Sequence, residues 1–264
     1  MLGGLTGLAN QSSNDWGKRM LNTVASQSIR HLFSESGSVD VEIQCEPSSK
    51  LLQGSIDSFK MKGQDLVIRR QFRVEEMSFE TDAVAIDSSA LLGGKLRLKQ
   101  PTQAVAKVTL TEDAINSAFE AELVKTRLTH VDSEALLNLS GGEPVSFRSV
   151  KVELLPQNGV RLAAVTDLPN QNDVPIQMTA TLAVEKRRKV LFNDASFDDE
   201  GIDPSKRILS KILTKTFAEI LNEMVDLDRF DLDGVMMRIN RLETHGKNLI
   251  FSGYAQIDQF PSIG

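Results

Sequence analysis

"VPIQMTATLAVEKRRKVLF", residues 174–192, decides the fold class. Ile176, Met178, Ala180, Leu182 and Val184 occupy every second position. That period of two belongs to a β-strand with one face turned inward. The run ends in Lys186, Arg187, Arg188 and Lys189. As the end of a strand these four cations put two charges on each face. Such a cluster either attracts anionic phospholipid headgroups, at about 1 kcal/mol per charge near the surface, or protects a sheet edge from pairing with another chain.

Working outward, the same period appears from residue 38. Val39, Val41, Ile43 and Cys45 alternate with Asp40, Glu42 and Gln44. Further strand-like runs are "SIDSFKMKGQ", "DLVIRRQFRV", "MSFETDAVAID", "GKLRLKQ", "AVAKVTL", "VSFRSVKVELL" and "GVRLAAVTDL". Few helix signals lie between them, so antiparallel meanders are expected rather than βαβ units. "DGVMMRINRLETHG" and "KNLIFSGYAQI" read as a closing hairpin around His245-Gly246-Lys247. "SSKLLQGSI" (48–56) and "SSALLGGKL" (88–96) share five of nine residues, two similarly built sheet corners.

Three segments carry helical periodicity. Residues 14–35, "NDWGKRMLNTVASQSIRHLFSE", hold Met20, Leu21, Val24, Ala25, Ile29, Leu32 and Phe33 on one stripe, with Trp16 in the first turn. The stripe suits docking on the domain's own sheet, or a place in the headgroup layer of a membrane with Lys18 and Arg19 on its polar side. Residues 110–128 read as one helix with Thr111 as N-cap. A short helix is expected over 132–140. The last helix follows Asp203-Pro204, with an apolar stripe of Ile208, Leu209, Ile212, Leu213, Phe217, Ile220, Leu221 and Met224. The whole is α+β, with residues 1–36 as an N-terminal amphipathic arm and 37–264 as one domain.

Composition sets the limits. Of the 264 residues, 25% are charged and 41% hydrophobic, with a net charge of −6. That balance argues against nucleic acid as a partner. No run is long and apolar enough to span a bilayer, and "MLGGLTGLAN" lacks the basic start of a secretory signal. The expected location is the cytoplasm or the cytoplasmic side of a membrane. One Trp and one Tyr stand against 12 Phe and 8 Met, soft side chains that suit an ordinary core or a surface facing lipid.

The search for chemistry returns little. "DLDRFDLDGV" (226–235) fails as a calcium loop: with Gly234 at position 6, Arg229 takes position 1 and Asn240 the place of the closing glutamate. Its aspartates suit the exit from a helix into a strand. His31, His130 and His245 have no ligand-spaced neighbours, and no glycine segment matches a phosphate loop or dinucleotide fingerprint. Cys45, the single cysteine, reads as a structural thiol. Neither metal, cofactor nor catalytic constellation is expected, and the chain reads as a non-enzyme.

"CEPSSKLLQGSIDSFKMKGQDLVIRRQFRVEEMSFETDAVAID", "LKQPTQAVAKVTLTEDAINSAF" and "ILNEMVDLDRFDLDGVMMRINRLETHGKNLIFSGYAQI" resemble the LmeA-like phospholipid-binding family, over roughly residues 39–260. The resemblance implies a long curved antiparallel sheet wrapped around amphipathic helices, similar to tubular lipid-binding domains. It implies an apolar cavity for phospholipid acyl chains, serving lipid transfer or membrane-lipid homeostasis, and no catalytic residues. Candidate cavity residues are Phe59, Met61, Phe72, Met77, Phe79, Met178 and Phe217. Candidate membrane contacts are Trp16, Met20, Leu21 and Val24, with Lys186, Arg187, Arg188 and Lys189 for headgroups in a peripheral, reversible attachment. The competing expectation is a scaffolding protein whose amphipathic helices bind a protein partner at the membrane surface. A cavity above ~300 Å³ favours the lipid reading, and a packed interior the scaffold.

Overall fold

Among the described residues, alternation of apolar and polar side chains runs through most of twelve strands. The computed structural model describes residues 22–23, 25–27, 29–47, 49–92, 97–169, 171–229 and 234–259. In chain order these form β1 (Ser38–Gln44), α1 (Ser49–Leu52), β2 (Ser55–Ile56), β3 (Ser58–Ile68), β4 (Phe72–Thr81), β5 (Val84–Ala85), α2 (Ser88–Leu92) and β6 (Thr102–Thr111). Next come α3 (Glu112–Phe119), α4 (Glu122–Leu128), α5 (Glu134–Ser140), β7 (Phe147–Leu154), β8 (Gly159–Leu168), β9 (Gln171–Glu185) and β10 (Lys189–Phe197). The chain closes with α6 (Arg207–Met224), a 3-10 turn (Leu227–Arg229), β11 (Val235–His245) and β12 (Asn248–Ile257).

The strands divide between two open, curved antiparallel sheets. One has six strands in the order β1-β3-β4-β6-β12-β11, the other four in the order β10-β9-β8-β7, and β2 pairs with β5 in a small third sheet. The division has a local cause, because the helical stretch from α3 to α5 separates β6 from β7. Each main sheet buries one face. Ala25, Ile29 and Phe33 pack with Phe59, Met61, Met77 and Phe79 on the six-stranded sheet. Leu213, Phe217 and Leu221 of α6 pack with Leu162, Ile176 and Met178 on the four-stranded sheet. Phe251 touches both cores.

The six-stranded sheet would present β11 as a bare edge, a template for pairing with other chains. The four-stranded sheet covers it. The Ile239 amide donates to the Arg187 carbonyl, and the Asn158 side chain both donates to Leu242 O and accepts from the Thr244 amide.

Several expectations are redrawn. The helix expected over 110–128 begins as read, with Thr111 Oγ1 accepting from the Ala114 amide, but breaks at Ala121, whose φ of −66° and ψ of 140° are extended. The break keeps Val124 and Leu128 on the same core as Ile115 and Phe119, from which a straight helix would diverge. Asp203 does not start the last helix directly. It accepts from the Ser205 amide and hydroxyl in a turn that leads into α6. Lys186, Arg187 and Arg188 do not end a strand: they are the turn joining β9 to β10, with Lys186 and Arg187 at φ of 48° and 60°. Of "GKLRLKQ", the described part makes only an isolated bridge between Leu98 and Ile86. In the 14–35 segment, residues 22–23, 25–27 and 29–30 are helical. Trp16, Met20, Leu21 and Val24 lie outside the described residues.

Candidate lipid-binding site

The inner face of the six-stranded sheet grades from large to small side chains. Across the strands Val41, Met61, Phe79, Ala106, Gly253 and Ile239 stand side by side. Ala104 sits opposite Ala255 in the neighbouring row. Four small residues therefore meet where β6 joins β12, beside the bulky Phe and Met of β3 and β4. Glycine is required at 253, since a Cβ there would lie 1.9 Å from the Arg238 carbonyl oxygen.

Ala25, Ile29, Leu32 and Phe33 pack on the part of this face built by Phe59, Met61 and Phe79, whereas Ile239 at its far end joins the core of the four-stranded sheet. Ile29 and Leu32 enclose, with Phe59, Met61, Phe79, Val235, Ile257 and Gln259, a cavity of about 20 Å³. That volume is close to one water and far below an acyl chain's need. The fold brings four of the candidate cavity residues, Phe59, Met61, Met77 and Phe79, onto one buried face. Phe72 is half-buried at the start of β4, beside the Arg69–Gln71 turn. Met178 and Phe217 belong to the other core, where the Phe217 ring lies 4.9 Å from that of Phe147.

The basic hairpin is fastened by Asp226 and Asp228, the first two aspartates of "DLDRFDLDGV". Arg188 donates to Asp228 at 2.6 Å and lies 3.9 Å from Asp226, which is 6% exposed. Arg238 donates to the other Asp228 oxygen at 2.7 Å. These bonds, Arg188's first and then Arg238's, hold the Asp228 carboxyl below the usual carboxylate range. The bond to Asp228 and the charge of Asp226 raise the Arg188 guanidinium in turn. Arg188 thus fastens the hairpin to the exit of α6. Arg187 lies 5.8 Å from the centre of the Tyr254 ring, within cation–π range. Among the described residues, Lys186 and Lys189 have no carboxylate within ion-pair distance. Tyr254, beside Arg187, and Val105, paired with it across β12 and β6, are 43% and 59% exposed. Asp226, Asp228, Arg238 and Tyr254 escaped the sequence reading as partners of this cluster, because no local spacing couples residues 38 to 66 positions away from Arg188.

A second hollow of about 390 Å³ lies against the C-terminal half of α6, lined by Arg127, Ser133, Thr216, Glu219, Ile220, Glu223 and Met224. The buried Ser133 hydroxyl has no hydrogen-bond partner among the described residues. Cys45 is fully buried, its thiol 3.5 Å from the Ser55 carbonyl oxygen. Among the described residues no group of three or more His, Cys, Asp or Glu is placed to hold a metal ion.

Antiparallel sheets with apolar faces packed under helical segments define a β-rich protein whose distinctive surfaces are apolar and basic. Among the described residues no helix is long and apolar enough to cross a membrane. The chain belongs to the LmeA-like phospholipid-binding family, whose model matches residues 13–253. No curated protein and no solved structure matches it.

Proposed function

We propose that this protein binds a phospholipid by admitting its acyl chains between residues 22–33 and the inner face of the six-stranded sheet. The observation that carries the reading is the face itself. Phe59, Met61, Met77 and Phe79 offer soft apolar contacts beside a stripe of Ala104, Ala106, Gly253 and Ala255 that leaves the backbone thinly covered. Acyl chains need such a surface and no directed polar chemistry. A 20 Å³ cavity taken as it stands is the packed interior that favours a scaffold; on the lipid reading it is the closed form, and the segment carrying Ile29 and Leu32, held through a few apolar side chains, separates from the sheet to open it. This is the logic of tubular lipid-binding domains, in which a helix lies within a curved sheet. Attachment to the membrane is peripheral, through Trp16, Met20, Leu21 and Val24 together with the lysines of the basic hairpin. The function is non-catalytic and consists of holding or transferring a lipid.

Native mass spectrometry of the purified protein, with uptake of a fluorescent phospholipid from vesicles, tests the reading. Bound phospholipid is expected, and Ala106→Trp, which fills the small-residue stripe, is expected to abolish uptake. A protein that carries no lipid and takes none up refutes it.

A further inference from the structure

The apolar stripe of α6 is wider than the core it serves. Leu213, Phe217 and Leu221 are fully buried against the four-stranded sheet. Ile208 and Ile212, read from the sequence as part of the same stripe, point away from it. Ile208 is 80% exposed, the highest value among the large exposed hydrophobic side chains of the described residues, and Ile212 is 43% exposed. Their spacing of four stacks them on one face of the helix. Lys211 and Lys215 lie along one side of them, and at 3.6 residues per turn the four side chains share an arc of about 100°.

From Lys206 to Lys215 every charged residue is basic, although Asp199, Glu200 and Asp203 lie in the loop before the helix. α6 has no acidic residue in its first turn, where a carboxylate would favour the helix, and its first acid is Glu219. Lys206 and Arg207 are tied back into the fold. Lys206 donates to the carbonyls of Asn172 and Asp173, while Arg207 donates to the Ile202 carbonyl and lies 3.5 Å from Asp199. Lys211 and Lys215, by contrast, have no carboxylate within ion-pair distance among the described residues. Single exposed apolar residues are ordinary on protein surfaces. Two stacked isoleucines with two unpaired lysines along one side form the pattern of a helix lying in the headgroup layer, with apolar side chains at the acyl boundary and lysines reaching up to the phosphates.

We infer that the N-terminal half of α6 is a membrane-docking surface that seats Ile208 and Ile212 in a bilayer carrying anionic phospholipid, with Lys211 and Lys215 on its headgroups. The surface is separate from the interior site and stands without it.

Flotation of the full chain with phosphatidylcholine vesicles, with and without phosphatidylserine, tests the docking surface, while the lipid content of the purified protein tests the interior. Ile208→Asp/Ile212→Asp is expected to lower vesicle partition by about tenfold or more, since two apolar side chains no longer leave water, and to leave the far-UV spectrum, melting temperature and lipid content unchanged. Lys211→Glu/Lys215→Glu, at exposed sites with no structural partner, is expected to remove the increment that phosphatidylserine adds. Wild-type flotation by both variants overturns the proposal. So does an isoleucine variant that floats normally but changes oligomeric state on size exclusion, which makes the face a protein contact instead.

Discussion

Ile29→Ala is the sharpest test of how the interior opens. Ile29 is 2% exposed and walls the small cavity together with Leu32, facing Phe59, Met61 and Phe79. Truncating a fully buried isoleucine to alanine costs about 2–5 kcal/mol when the site cannot collapse. In the proposed opening, residues 22–33 leave the sheet as a unit, so the loss falls on the closed form alone. At 1.4 kcal/mol per factor of ten, a loss of about 2–3 kcal/mol raises the open population roughly 30- to 150-fold. Stopped-flow uptake of a fluorescent phospholipid from vesicles should accelerate by a similar factor. Hydrogen exchange should show protection lost over residues 22–33 and unchanged in β7 to β10, which belong to the other core. The refuting result is uptake that stays at the wild-type rate while protection falls in both sheets together. Residues 22–33 are then a fixed part of the core, and lipid does not enter beneath them.

Three further outcomes are expected. Phe217→Ala, at the centre of the second core beside Phe147, should cost about 3–5 kcal/mol in urea unfolding, and a loss below about 1 kcal/mol would mean that core is not tightly packed. Asp228→Asn removes a carboxyl held below its ordinary range by Arg188 and Arg238; because that carboxyl is depressed, its stabilisation is present above the unfolded value of about 3.9 and is lost as pH falls through the folded one. The variant should therefore melt lower at neutral pH and lose less stability on acidification than wild type, and identical acid limbs would refute the linkage. Trp16→Asp/Met20→Asp should weaken binding to anionic vesicles with the fold intact, leaving the share contributed by α6, and wild-type binding to those vesicles should weaken with salt without vanishing, since salt screens lysines and not apolar burial; partition of the double variant at wild-type level means that the segment makes no membrane contact.

Sequence alone determined what depends on neighbours along the chain. Alternation at Ile176 to Val184 and at Val39 to Cys45 requires strands, because a period of two has only one regular backbone. Thr111 announces its helix because a cap acts within three residues, and the hairpin at His245-Gly246-Lys247 follows from its turn residues. The family likeness was legible in the same strings, as a pattern of strands and corners rather than a reactive motif. Contacts between distant segments belonged to the tertiary structure. Phe59 and Met178 are both buried Phe/Met positions on alternating strands, yet they serve different cores, a choice made by which strands pair and not by either residue. "EKRRKV" could be read as charged, but not as a turn fastened by Asp226 and Asp228, because that bond closes a loop of about forty residues with no local signal. The stripe on α6 was visible from its period, while the exposure of Ile208 and Ile212 depends on where the four-stranded sheet ends. Periodicity records which residues share a face; only packing decides which part of that face is covered.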